Sequence, residues 1–354
     1  MGTAKSCATG CAGEWGEGSA VSTIRDVARL AAVSPSTVSR VLAGSTRISQ
    51  DTHDRVHRAM DELNYHPHAI AVSLARRSSQ SVGMVIARPP EQAFANPFFA
   101  EVIRGIGSRL HEAGLHLLLS FTPTPDEAQR VCLGLLQQRR VDGVILTSAR
   151  QRDPLIAELH REQHPFVLIG RPAGGPPISW VNNDDVAVGA QATEHLIGRG
   201  HRRIALIVGA RDEVVSLDRR EGWARALLTA GAPVPPEYVV EGSFTQEGAY
   251  QATQRLLSLP EPPTAVVAAD DLMALGVLRA ARKGGRRVPG DLALVGVNDD
   301  PISAHVQPPL TTVRIPVFEL GATAADTLVT LLARGSTAAR QVVLPSELVL
   351  REST

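Results

Sequence analysis

Between positions 34 and 40, Pro35, Ser36, Ser39 and Arg40 form a short, mostly polar face with a single guanidinium, and Ser34 and Thr37 add hydroxyls beside it. Their chemistry suits a surface of phosphates and base edges. Serine and threonine hydroxyls and the free N–H groups of a helix start hold phosphate oxygens, which fixes register but carries no sequence information. The Arg40 fork matches the two acceptors that guanine shows in a major groove, with Pro35 and Ser36 beside it to tune sequence choice. Catalytic sets are missing by comparison: the chain has no G-x-S-x-G and no Cys–His pairing. HDRVH at 53–57 puts aspartate where a zinc-binding helix needs glutamate, so His53 and His57 read as surface. GIGSRL at 105–110 lacks the third glycine of a dinucleotide loop and reads as helix packing. Cys7 and Cys11 are not followed by a second Cys or His pair at zinc-site spacing. No catalysis, cofactor or metal is expected.

The elements that must carry the polar face are legible around it. Thr23 caps a first helix with Asp26 near its positive end, and Ile24, Val27, Ala28 and Ala31 recur at helical spacing. After a tight turn at Ala32 and Val33, Ser34 caps a second helix with Pro35 at its first position, where the missing N–H costs nothing. Val38, Val41 and Leu42 turn inward, which leaves the polar groups outward, and Gly44 ends the helix. Ser49 caps a third helix whose Val56, Met60 and Leu63 face the same core. A helix, a tight turn and a second capped helix describe a helix-turn-helix, whose second helix enters the major groove.

The chain as a whole has 354 residues with 36 basic and 36 acidic side chains, 44% apolar residues and 4% aromatic, the balance of a globular protein of two or three domains. Residues 21–80 depart from that balance, with eight arginines against five acids, the footprint of a phosphate-backbone binder. Three cysteines are too few to staple such a chain and fit a reducing cytoplasm. No apolar run is long enough to span a membrane, and MGTAKSCATGCAGEWGEGSA lacks a secretory pattern. Residues 1–20, rich in Gly, Ala, Ser and Thr without periodicity, read as a disordered leader.

From Ser81 onward apolar strands alternate with amphipathic helices: VGMVIA, LHLLLS, DGVILT and FVLIG, then RIALIVG, TAVVAA and DLALVGV after the Pro-Gly-rich RPAGGPP. Such alternation gives parallel sheets, and the restart predicts two similar lobes. Open parallel sheets bind ligands beyond their strand ends, so two facing lobes would enclose a small molecule.

The runs TIRDVARLAAVSPSTVSRVLAG and ISQDTHDRVHRAMDELNYHPHAIAVSLARR resemble the DNA-binding head and hinge of the LacI/GalR family of bacterial transcriptional repressors. ANPFFAEVIRGI at 95–106, RRVDGVIL at 139–146, TEHLIGRGHRRIALI at 193–207, DDLMALGVLRA at 270–280, RRVPGDLALVGVNDD at 286–300 and PPLTTVRIP at 308–316 resemble its periplasmic-binding-protein-like body. The resemblance implies a homodimer on roughly palindromic double-stranded operator DNA, regulated by a small-molecule effector. The fold class is then an all-α helix-turn-helix head and an α/β body of two doubly wound parallel-sheet lobes. The head spans 21–66 and the hinge 67–80. The body spans 81–354, with an amino lobe of about 81–182 plus 315–335 and a carboxy lobe of about 183–314 plus 336–354.

His68 to Ala75 is only about two turns, too short for an isolated helix in water. Its Ala71, Leu74 and Ala75 would pack against their copies in a dimer, and the resemblance implies that Leu74 inserts between base steps of a minor groove. In the body it implies that Arg219, in SLDRREGW, grips ligand hydroxyls or a carboxylate. It likewise implies that Phe244, in EGSFTQEG, flanks the ligand and that Phe98 closes the amino-lobe side. Asp270 stands where the family commonly has Asn, and Asn298 where it has an acid, a swap that keeps roughly the same hydrogen-bonding inventory. Glu213 stands where purine-type members carry arginine, which favours a sugar or sugar derivative. Two other readings share these motifs: control by a protein co-regulator, and a sugar-binding protein of a transport system, which would carry a signal peptide and no DNA-binding head.

Overall fold

The computed structural model describes residues 22–45, 47–66, 78–335 and 338–354. The expected leader and the hinge residues Ala71 and Leu74 lie outside the described residues. The chain divides into two compact units, the second beginning at Gln80.

The first unit holds α1 (Ile24–Leu30), α2 (Pro35–Leu42) and α3 (Gln50–Glu62). Asp26 accepts hydrogen bonds from both the amide and the hydroxyl of Thr23, which hold its carboxyl below the usual range, and Ser49 caps α3 by accepting from Thr52. Val27, Val38, Val41 and Val56 meet in a small core walled by Ile48, Met60 and Leu63. Gly44 follows α2 with φ +72°, the left-handed conformation that ends a helix at least steric cost.

The second unit is built on two six-stranded sheets. In the first, β1 (Ser81–Ile86), β2 (His116–Phe121), β3 (Gly143–Leu146), β4 (Phe166–Ile169) and β5 (Trp180–Asn183) run in the order 5-4-3-1-2. In the second, β6 (Ile204–Val208), β7 (Val239–Glu241), β8 (Ala265–Ala268), β9 (Ala293–Asn298) and β10 (Thr311–Arg314) repeat that order. All these pairings are parallel. The strand order reverses beside β1 in one sheet and beside β6 in the other, so each lobe has its own switch point, where open sheets bind ligands.

Helices α4 (Pro90–Ala95), α5 (Pro97–Glu112), α6 (Pro125–Gln137) and α7 (Pro154–Arg161) link the first strands. Helices α8 (Asp185–Gly198), α9 (Val214–Thr229), α10 (Gln246–Leu257) and α11 (Asp271–Lys283) serve the second sheet, and α12 (Val317–Arg334) returns to pack on α5 and the first. The α5–α12 approach explains GIGSRL: a Cβ at Gly105 would collide with the Phe318 carbonyl, so this glycine lets two backbones touch and holds no phosphate.

One boundary differs from the sequence expectation. Residues after 335 were expected in the carboxy lobe, yet β11 (Gln341–Leu344) pairs in parallel with β5 on the amino-lobe sheet. Only β12 (Glu347–Val349) joins the other sheet, antiparallel to β10. The chain therefore crosses after Leu344. An edge strand exposed at alternate residues lacks the continuous apolar run of a central parallel strand, so QVVL gave no signal.

Candidate functional sites

In the head, the Ser34 hydroxyl accepts from the Thr37 amide at 3.1 Å and lies 2.7 Å from Ser36 Oγ and 2.9 Å from Thr37 Oγ1. Ser34, Pro35, Ser36 and Arg40 are exposed, while Thr37 and Ser39 are half-buried. The other face of α2 is committed, with Val38 and Val41 in the core. Arg29 pairs with Asp26 and Arg55 with Asp51, whereas the Arg40 guanidinium meets no partner among the described residues. The six predicted residues thus form one outward face carrying an uncompensated positive charge.

In the body, the carboxyl ends of both sheets open onto one cavity of about 310 Å³, and Phe98, Arg219, Phe244, Asp270 and Asn298 all line it. That volume lies at the small end of ligand pockets. Asn96 caps α5 by accepting from the Phe98 amide at 3.0 Å, and the Phe98 ring meets Phe99 edge-on at 5.5 Å. Phe244, just past β7, holds φ +54° and lays its ring on Gly209, where any Cβ would overlap it. Asn298 ends β9 at φ +113°, and its side-chain amide makes no hydrogen bond among the described residues. Asp299 turns away to Arg314 and Arg351 at 2.8 and 2.6 Å, so of the NDD run only Asn298 reaches the cavity.

Arg219 is buried and already engaged. Its Nε and Nη2 each stand 2.9 Å from Asp185 Oδ1, and its Nη1 donates to the Ala269 carbonyl. Of five N–H donors, one on each terminal nitrogen remains for a ligand. Asp270 is buried too: Oδ1 caps α11 by accepting from Met273 at 2.7 Å, and Oδ2 accepts from Asn96 Nδ2 at 2.9 Å. Burial pushes its carboxyl up from the usual range.

Several contacts span the lobes around this cavity. Arg88, past β1, donates to Glu213 at 3.0 Å and lies over the Phe244 ring, 5.2 Å from its centroid. Arg171, past β4, holds Asp218 of α9 through a two-pronged pair whose Nε–Oδ2 distance is 2.6 Å. Arg150 reaches Asp212 at 2.8 Å, where Arg150 and Glu213 also form an isolated antiparallel bridge. Burial raises the carboxyls of Glu213 and Asp218 despite their arginine partners. Behind the cavity, Asp271 accepts from Thr312, Ser303 and the Asp300 amide, yet burial pushes it up to about 7. Among the described residues Asp300 Oδ2 is buried with no hydrogen-bond partner, and burial, followed by Asp271, Asp270, Asp299 and the amino-lobe Glu101, pushes its carboxyl up to about 8.

Comparison with known proteins places this geometry. Residues 23–68 match the family model of bacterial regulatory proteins, lacI family, and residues 193–354 match that of a periplasmic binding protein-like domain. The HTH-type transcriptional regulator CelR of Thermobifida fusca is 39% identical over 333 residues, which cover 94% of this chain and 98% of that protein. The chain belongs to the LacI family. Among solved structures, a CelR–cellobiose complex matches with a TM-score of 0.74 at 38% identity, covering 94% of this chain and 100% of the other. A lac repressor dimer bound to operator and an anti-inducer matches with a TM-score of 0.79 at 30% identity, covering 94% and 98%. As a LacI-family member the chain is a transcriptional regulator, and these relatives are regulators rather than enzymes.

For this LacI-family chain, sequence reading found the aromatic and polar lining but missed Arg88, Asn96, Arg171, Asp185 and Asp218. A signal existed for the two arginines: each directly follows an apolar run, VGMVIA and FVLIG, where switch-point ligands bind. Asp185 and Asp218 gave none, because their importance lies in which arginine faces them.

Proposed function

We propose that this regulator is a homodimeric repressor that binds roughly palindromic operator DNA and that a sugar or sugar derivative in the interlobe cavity sets its occupancy. The observation that carries the reading is the cavity itself, lined from both lobes at the carboxyl ends of both sheets and bridged by pairs that any change in lobe angle must strain. A formed cavity of this kind favours a small molecule over a protein co-regulator. The names of the relatives support the same classes of partner, cellobiose for CelR and operator DNA for the lac repressor.

In this reading each α2 enters a major groove. Arg40 reads a guanine edge, Pro35 and Ser36 tune sequence choice, and Ser34, Thr37 and Ser39 hold phosphates. Ala71 pairs the two hinges, while Leu74 wedges the minor groove between them. Inside the cavity Phe98 and Phe244 cover the apolar C–H faces of a sugar, and Arg219, Asp270 and Asn298 bond its hydroxyls. The regulator works in the bacterial cytoplasm, where the operator lies. A ligand that moves the lobe equilibrium from 1:99 to 99:1 needs ~5.5 kcal/mol of differential binding, which two sites per dimer share.

The experiment is selection of bound fragments from the source genome, followed by titration of the selected site with a sugar panel. A recurring inverted repeat whose occupancy responds to one sugar is the expected result. Absence of any sequence preference would remove the DNA reading, and indifference to every sugar the effector reading.

A further inference from the structure

The cavity has a charge pattern that narrows its ligand beyond carbohydrate in general. Five arginines and six carboxylates line it, and four of those arginines are already neutralised: Arg88 by Glu213, Arg150 by Asp212, Arg171 by Asp218 and Arg219 by Asp185. Arg152 alone lacks an ion-pair partner among the described residues, and it sits exposed at the rim, where water and salt screen it. Deeper in, the available groups are the side-chain amide of Asn298, two protons of Arg219, and Asp270, a buried carboxyl whose two oxygens already accept from the Met273 amide and Asn96. A phosphate or carboxylate could recruit Arg88 only by taking it from Glu213, which is itself buried and would be left with Arg150 as its nearby positive charge. Hydroxyls both donate and accept, so they use these groups without breaking a pair.

We propose that the cavity selects an uncharged polyhydroxylated effector and that Glu213 sets this selectivity by keeping Arg88 neutralised. The inference rests on the small-molecule reading above and deepens it. Glu213 excludes anions indirectly: it holds the guanidinium that would otherwise receive them, and it keeps that guanidinium over Phe244.

The test is isothermal titration of the full-length protein with matched pairs: glucose and glucose 6-phosphate, ribose and ribose 5-phosphate, cellobiose and cellobionate. The best neutral sugar should bind at least tenfold more tightly than its anionic counterpart. Glu213→Gln, checked for folding by its melting transition, should shrink that ratio at least threefold by freeing Arg88. The double variant Arg88→Gln with Glu213→Gln should restore it. An anionic sugar that binds the wild type as well as its neutral partner overturns the inference while leaving a sugar-controlled regulator intact, and a ratio unmoved by Glu213→Gln overturns the role of Glu213. If no sugar of either charge binds, the inference and the carbohydrate reading fall together.

Discussion

Arginine is used in opposite ways in the two units. On the head, Arg40 stands exposed on a face whose other groups are small and polar, with no acid paired to it among the described residues. In the body, Arg219 is buried against Asp185, and Arg88 and Arg171 each hold a carboxylate of the opposite lobe. The difference teaches what each surface is for. An uncompensated guanidinium costs little in water and gains most from a polyanion, whereas a buried one must be paired before a ligand arrives. In the proposed reading, the same residue type marks a nucleic-acid face in one unit and scaffolds a cavity for an uncharged ligand in the other.

The comparison breaks most visibly if a paired arginine is removed. Arg219→Ala leaves Asp185 buried with the Asn183 amide as its only remaining partner among the described residues and should destabilise the body by ~3–5 kcal/mol, read from denaturant unfolding, with loss of effector response. Arg40→Ala, by contrast, should leave the head's melting unchanged and relax sequence choice at one base pair per half-site by ~1–3 kcal/mol, read from a selected-site logo. A large stability loss at Arg40, or none at Arg219, would reverse the contrast.

Carboxylates sharpen it further through pH. Asp300 is pushed up to about 8 when folded, whereas a free aspartate titrates near 3.9, so between those values the folded chain holds a proton that the unfolded chain lacks. Stability from this group is therefore greatest at low pH and declines as pH rises through that window, by at most ~1.4 kcal/mol per pH unit. Asp300→Asn should flatten the fall in melting temperature between pH 5 and pH 8, and an unchanged slope would show that Asp300 ionises freely. The smallest effect belongs to the head, where Ser34→Ala removes the cap on α2 and should cost ~1 kcal/mol of head stability, measured by thermal melting of the full chain.

Legibility followed the same division. The head was readable almost to the residue, because caps, a proline at the first helical position and inward valines are local signals. The central strands of the body were equally plain as apolar runs. Trp180–Asn183 and Thr311–Arg314 were not, since asparagine and threonine occupy buried sheet positions where a run of Val or Ile was the expected cue. Arg219 was found by motif, but its engagement with Asp185 and Ala269 was invisible, because it depends on α8, α9 and the end of β8 converging in space. That convergence commits the Nε–Nη2 edge of the fork to Asp185 and leaves one N–H on each terminal nitrogen for a ligand's hydroxyls or carboxylate.

The most direct measurement is the salt dependence of two affinities on one preparation, the selected operator fragment and the best-binding neutral sugar, between about 50 and 200 mM salt. Operator affinity should fall steeply, with a log–log slope of ~−0.9 for each phosphate contact, while sugar affinity stays flat. A sugar affinity that falls with salt like the operator's, or an operator affinity indifferent to salt, would contradict the opposite uses of arginine in head and cavity.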